Sequence, residues 1–353
     1  MKIILAVPIY PPDIGGPAIY AQKLKNGLEK AGHSLSVVSY KGLRRFPQPV
    51  RIFLYFLKLF KTSRDCDLIY AFSLMSCGLP ALLCKKKFII RIGGDYLWER
   101  AVESGKTNLP LREYYEKLTP GFKVKIIRKI LNAADRIIFT SLFQKDIYIE
   151  YFGIKENKTV VILNPFPEIT IPEGKLEEVN SWQILYAGRF IKLKNLNRLI
   201  EAFKKVSSDR PILKIIGQGP EKDNIESRIK NLGLNDRVII GKPLPHSELL
   251  KEIQKSRFCV LPSLSEITPN FALECIKLGK PILLTRETGL YEIFKEDLTF
   301  INPYDVNDIK NKIEFFLDDG NLEIYTQKIS RIDKSRNWKD AIEEHAEILK
   351  IYE

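Results

Sequence analysis

The stretch from Cys259 to Thr285, CVLPSLSEITPNFALECIKLGKPILLT, constrains the fold more than any other. The apolar run Arg257 to Leu261 has strand length and ends at Pro262 and two serines. A polar turn leads into a helix with Thr268 as N-cap and Pro269 at the first helical position, where a missing N–H costs nothing. Gly279 falls just past the last turn, with Pro281 beyond it, and Pro281 to Thr285 reads as a second buried strand. Strand, loop, capped helix and strand make one βαβ unit. In such parallel sheets a ligand sits beyond the carboxyl ends of the strands. The loop and helix carry two carboxylates, Glu266 and Glu274, with seven residues between them. The backbone N–H groups from Ile267 to Phe271 are orphan donors at the helix start, suited to an anion. Two readings stay open: a ligand site, or a solvated stripe in which Asn270, Glu274 and Lys277 recur at helical spacing.

At 353 residues the chain has the length of two ordinary domains, each able to bury a core. Its 45% hydrophobic and 28% charged residues are those of a globular protein. The five cysteines show no CxxC pair and read as reduced core thiols of a cytosolic protein. MKIILAVPIY lacks a small-residue cleavage site and reads as a strand. No apolar segment reaches the roughly 20 residues needed to span a bilayer. A net charge of +13 calls for an anionic partner: membrane surface, phosphorylated substrate or nucleic acid. No nucleic-acid module appears, so that partner is set aside. Three histidines leave little for a Ser-His-Asp triad or a His-rich metal site.

Taken in order, Lys2 to Tyr10 is a strand and Pro11 to Pro17 a loop containing Gly15 and Gly16. Ala21, Leu24, Leu28 and Ala31 mark one helix face, and Leu35 to Tyr40 is the next strand. Val50 to Lys61, VRIFLYFLKLFK, is apolar nearly all round; it is either a buried helix or one lying in a lipid headgroup layer. The basic stretch Leu111 to Asn132 is either a second lipid-facing element or a solvated face. Asp65 and Asp67 form a D-x-D but precede the strand Leu68 to Phe72, where acidic residues mark a turn rather than a metal site. Phe88 to Ile92 is a strand ending in Gly93-Gly94-Asp95; Asp95 is placed either for a ligand or as an N-cap. Asp135 to Ser141 is a further strand, and the polar run Glu168 to Ser181 follows Ile162-Leu-Asn-Pro-Phe-Pro as a linker. The second half then repeats the plan, with strands Gln183 to Ala187 and Ile212 to Ile216. Between them Arg189 and Lys194 lie at a helix entrance, able to grip a phosphate or simply solvated.

SEITPNFALECIKLGKPIL resembles the E-x7-E region of the family 4 retaining glycosyltransferases (glycosyl transferases group 1). YAGRFIKLKNLNRLIEAF resembles their G-R-x4-K clamp, and IIGQGPEKDNIE their Gly-x-Gly-Pro turn. The resemblance implies the α/β GT-B fold, two Rossmann-like doubly wound domains facing a cleft. An acceptor domain over 1–166, completed by a terminal helix at about 336–353, would join through a linker at 167–181 to a donor domain over 182–335. It also implies roles. Glu266 and Asp95 would face the donor sugar, Arg189 and Lys194 the diphosphate, and Glu274 the ribose. Gly15 and Gly16 would lie near the phosphates, and Gly217 and Gly219 would leave room beside the nucleotide. Pro243, in the turn Gly241 to His246, would wall the base, and Thr268, Pro269, Asn270 and Phe271 would line the helix start. The family more often has Gly-Phe-Gly or Gly-Leu-Pro where this chain has Ile267-Thr268-Pro269.

The implied activity moves a sugar from a nucleoside diphosphate sugar, UDP- or GDP-linked, to a glycan or a polyprenyl or other lipid-linked acceptor. It uses no metal and no cofactor, and the expected location is cytoplasmic, peripheral on the inner face of a membrane. Two rivals share the fold: an epimerase or hydrolase of the nucleotide sugar, and a non-catalytic glycan- or lipid-binding member.

Overall fold

The computed structural model describes residues 1–13, 15–169 and 180–353, with Asn180 and Ser181 as backbone only. Most of the expected linker, 170–179, therefore lies outside the described residues. The chain divides into two units: 1–97 with 115–165 and 336–353, and 98–114 with 166–335. Segment 98–114, assigned above to the N-terminal domain, is part of the second unit.

The first unit holds a six-stranded sheet of β1 (Lys2–Val7), β2 (Ser34–Ser39), β3 (Leu68–Ala71), β4 (Phe88–Ile92), β5 (Arg136–Phe139) and β6 (Thr159–Val161). All neighbours run parallel, in the order β2-β1-β3-β4-β5-β6. The central strands are apolar on both faces and almost fully buried, so helices must cover both. Its helices include α1 (Gly16–Lys30), α2 (Gln48–Thr62) and α3 (Leu79–Leu83). Then come α4 (Tyr96–Glu103) and α5 (Leu111–Lys117), which straddle the unit boundary, α6 (Phe122–Ala133) and α7 (Leu142–Phe152). Ala31, counted above on the α1 face, lies past the helix end and is exposed. The first strand stops at Val7, short of Tyr10, because Pro8 directly after it has no N–H for the ladder.

The second unit repeats the arrangement with β7 (Asn180–Ala187), β8 (Ile212–Ile216), β9 (Val238–Gly241), β10 (Ser256–Leu261), β11 (Ile282–Thr285) and β12 (Thr299–Ile301). Its order is β12-β11-β10-β7-β8-β9, again parallel. The helices are α8 (Leu196–Lys204), α9 (Lys222–Asn231), α10 (His246–Lys255), α11 (Asn270–Lys277), α12 (Tyr291–Phe294), α13 (Val306–Leu317) and α14 (Asp319–Arg331). The chain then returns to the first unit as α15 (Trp338–Leu349), which packs beside α1 and buries Ala341 and Leu349 in the first core. The Asn337 side chain accepts from backbone N–H groups of its first turn, and the Asp340 carboxylate accepts in return from the Asn337 N–H at 2.8 Å.

In the second sheet the strand order reverses at β7 and β10: the chain winds outward through β8 and β9 on one side and through β11 and β12 on the other. That reversal leaves a crevice at the carboxyl ends of β7 and β10.

Candidate active site

The loop after β7 runs from Gly188 to Asn195 and the loop after β10 from Pro262 to Pro269. They are fastened to each other before any charged group is considered. The Leu264 N–H donates to the Leu193 carbonyl at 2.9 Å. Asn195 takes a left-handed backbone with φ 57°, and its side-chain amide donates to the carbonyls of Pro262 at 3.0 Å and Pro303 at 2.7 Å. Asn195 was not singled out in the sequence. The only hint was that Asn is among the few residues that take this backbone readily.

On this frame the Lys194 ammonium and the Glu266 carboxylate form a close ion pair, with side chains 17% and 11% exposed. Ser263 Oγ donates to the same Glu266 oxygen at 2.6 Å. The Glu266 backbone is held as well: its N–H donates to Glu287 O at 2.8 Å and its carbonyl accepts from Gly289 at 2.9 Å. The start of α5 braces the loop, where the Leu111 N–H donates to Ser265 Oγ at 2.9 Å. Arg189, on the same loop as Lys194, is exposed. Tyr186 Oη donates to the Arg189 carbonyl at 3.1 Å, and burial followed by the Glu266 charge pushes its pKa well up, so it stays a donor.

Gly217 and Gly219 serve a different purpose from the room expected beside a nucleotide. A Cβ on Gly217 would lie 1.9 Å from the Gly188 carbonyl oxygen, and one on Gly219 would lie 2.3 Å from that of Phe190. Both positions are glycine because the loops after β7 and β8 touch backbone to backbone, with Phe190 N donating to Gln218 O at 2.9 Å. Their contribution is to hold the Arg189 loop in place.

Glu274 sits in the second turn of α11, and its Oε1 lies 3.0 Å from His246 Nε2 at the start of α10. Burial pushes its pKa up, and the His246 hydrogen bond and charge work against that. The helix starts one residue later than expected: Pro269 is the N-cap, and Thr268 lies before it. Pro269 holds an extended ψ of 107° and has no side-chain acceptor of its own to offer. Asn270 is exposed at the first turn, Phe271 is buried at 9%, and Pro243 is exposed in the turn after β9.

The remaining candidates belong to the first unit. Gly15 is the N-cap of α1, with φ 149°, and Gly16 opens the helix. Asp95 is 0% exposed, and its Oδ2 accepts from the hydroxyls of Tyr115 at 2.8 Å and Tyr148 at 2.7 Å. A carboxylate enclosed by two tyrosines holds β4 to α5 and α7, and it offers no surface to a sugar. Of the D-x-D, Asp67 anchors β1 by accepting from the Lys2 N–H at 2.7 Å.

In the second unit, therefore, the loops after β7 and β10 bring Lys194 to Glu266, with Arg189 on the same loop as Lys194, and α10 brings His246 to Glu274 on α11. A cavity of ≈ 620 Å³ in the same unit is lined among others by Lys106, Lys192, Asn195, Arg198 and Leu264, and so reaches the two joined loops.

Residues 168–335 match the family described as Glycosyl transferases group 1, and residues 14–167 match Glycosyltransferase Family 4. The chain belongs to the family 4 glycosyltransferases. A glycosyltransferase of Haemophilus influenzae is 25% identical over 76% of this chain and 76% of its own length. The alpha-monoglucosyldiacylglycerol synthase of Streptococcus pneumoniae is 23% identical over 80% of this chain and 70% of its own. Among solved structures, sucrose-phosphate synthase from Thermosynechococcus elongatus superposes with a TM-score of 0.77 at 18% identity, covering 99% of this transferase and 98% of that chain. Anabaena HepE in complex with UDP-glucose superposes with a TM-score of 0.73 at 14% identity, covering 99% and 100%. These likenesses give the transferase the GT-B fold.

Proposed function

We propose that this transferase moves a sugar from a nucleoside diphosphate sugar to an acceptor hydroxyl, with retention at the anomeric carbon and without a metal ion. The Lys194–Glu266 pair at the reversal of strand order is the observation that carries the reading. It places a fixed cation and a fixed carboxylate where a parallel sheet receives its ligand. As the bond between the anomeric carbon and the diphosphate oxygen breaks, negative charge grows on the diphosphate. Arg189, Lys194 and the N–H groups at the start of α11 are disposed to stabilise it. The acceptor oxygen bonds to the same face of the anomeric carbon, and its proton passes to the departing phosphate. Glu266 orients the sugar. Glu274 accepts from the ribose hydroxyls, giving up its bond to His246.

UDP is the first nucleotide to try, because Anabaena HepE is solved with UDP and with UDP-glucose. The acceptor, held by the N-terminal half, is a glycan or a lipid-linked sugar; the Streptococcus pneumoniae relative is named for a monoglucosyldiacylglycerol product. Losing one charged hydrogen bond to the diphosphate costs about 1.5–3 kcal/mol in the transition state. Arg189→Ala should accordingly lower kcat/KM by more than about tenfold with the unfolding midpoint unchanged. Full turnover in that variant removes the clamp from the mechanism, and release of free sugar without acceptor points to hydrolysis instead.

A further inference from the structure

Three packed α-helices on one face of the first unit carry no carboxylate, and Asp65 follows just past the end of α2. α2 packs on α3 and α3 on α6, and the sequences of all three lack Asp and Glu altogether. Between them α2 and α6 contribute Arg51, Lys58, Lys61, Lys123, Lys125, Arg128 and Lys129, and Lys85 to Lys87 follow α3 directly.

The same face exposes large apolar side chains. On α2, Tyr55 and Leu59 are fully buried, whereas Val50 (44%), Phe53 (58%), Leu57 (45%) and Phe60 (45%) are exposed. At 100° per residue those four fall on one side of the helix, opposite the buried pair, with the exposed Lys58 and Lys61 on the flank. Leu83 on α3 is 50% exposed, and Phe122 at the start of α6 is 78% exposed. The sequence left α2 as either buried or interfacial. Burial accounts for half of it, and the outward half remains apolar.

We infer that this face docks on an anionic lipid bilayer, with α2 lying in the headgroup layer. Its 15 residues give about 22 Å of helix, too short to cross a bilayer but long enough to lie along one. Apolar side chains entering the acyl boundary beside lysines at headgroup level are the pattern such a surface rewards. A second copy of this chain fits poorly, because pairing the face with itself sets two strongly basic helix surfaces against each other. The inference does not depend on which sugar nucleotide the second unit takes.

The test uses the full chain with vesicles of phosphatidylcholine alone and vesicles that also contain phosphatidylglycerol. The protein should sediment with the second and not the first, and salt should release it. Phe53→Ser with Leu57→Ser should weaken that binding by at least about tenfold, since both side chains lose their acyl contact. Lys58→Glu with Lys61→Glu should weaken it on anionic vesicles as well. Both double variants should keep the wild-type unfolding midpoint and the same response to UDP, because all four positions are exposed. Three outcomes overturn the proposal: no sedimentation with phosphatidylglycerol vesicles, unchanged binding in the Phe53/Leu57 variant, or a dimer in solution that this variant abolishes. Tighter retention by a DNA duplex than by the anionic vesicles overturns it too.

Discussion

Lys194 and Glu266 meet as an ion pair across two loops that leave adjacent strands, and a hydroxyl from Ser263 completes the carboxylate's company. Neither partner reaches the other through local sequence, since 72 positions separate them. The pairing exists because β10 lies against β7 and because Leu264 and Leu193 are joined backbone to backbone.

Lys194→Ala strands a mostly enclosed carboxylate with one remaining partner. It should lower unfolding free energy by about 1–3 kcal/mol and reduce transfer by more than about tenfold. Combining Lys194→Met with Glu266→Gln removes both charges and should recover much of the stability without recovering transfer. Urea unfolding beside initial rates checks this. Wild-type rates in Lys194→Ala would make the pair purely structural.

Two glycines should respond very differently to alanine. Gly279 has φ 70° and nothing within 4 Å of an added Cβ, so Gly279→Ala should cost about 1 kcal/mol of left-handed strain. At Gly217 the added carbon meets the Gly188 carbonyl, which is backbone and cannot swing aside. There the cost should be about 3 kcal/mol or more, with weaker UDP binding as the Arg189 loop is displaced. Equal losses in urea melts of the two variants would contradict the backbone contact.

These glycines also mark how far the sequence could be read. Gly217 and Gly219 were legible as special positions, but their reason was not. A contact between two loops is a property of strands laid side by side, and spacing along the chain carries no trace of it. Asp95 went the other way. A carboxylate after a glycine pair at a strand end is a fair ligand signal, yet Tyr115 and Tyr148 arrive from distant helices and enclose it. His246 became relevant only when α10 brought it to Glu274.

His345 on α15 should give a pH signature. It is buried between Tyr20 Oη and Tyr70 Oη, each at 2.8 Å, and burial, then the Arg91 and Arg336 charges, hold its pKa well below the ordinary 6.5. In that window the unfolded chain takes up a proton that the folded chain refuses. The stability contribution is therefore present above pH 6.5 and is lost as pH falls from 6.5 toward the depressed value. His345→Gln should flatten the stability profile of the first unit over that range. A profile as steep as that of the wild type would assign the titration to another group.

The parallel βαβ pattern and the doubling of the plan were written in local sequence, whereas Arg189, Lys194, Glu266 and Glu274 were singled out by resemblance to the family 4 glycosyltransferases. Periodicity, turn residues and helix punctuation act over a few residues, so the chain states them directly. The pairing of Lys194 with Glu266, the enclosure of Asp95 and the outward apolar side of α2 were decided by tertiary structure alone. Each depends on which elements the sheet order and helix packing bring next to one another, and that is set by the burial of whole faces rather than by any one stretch of residues.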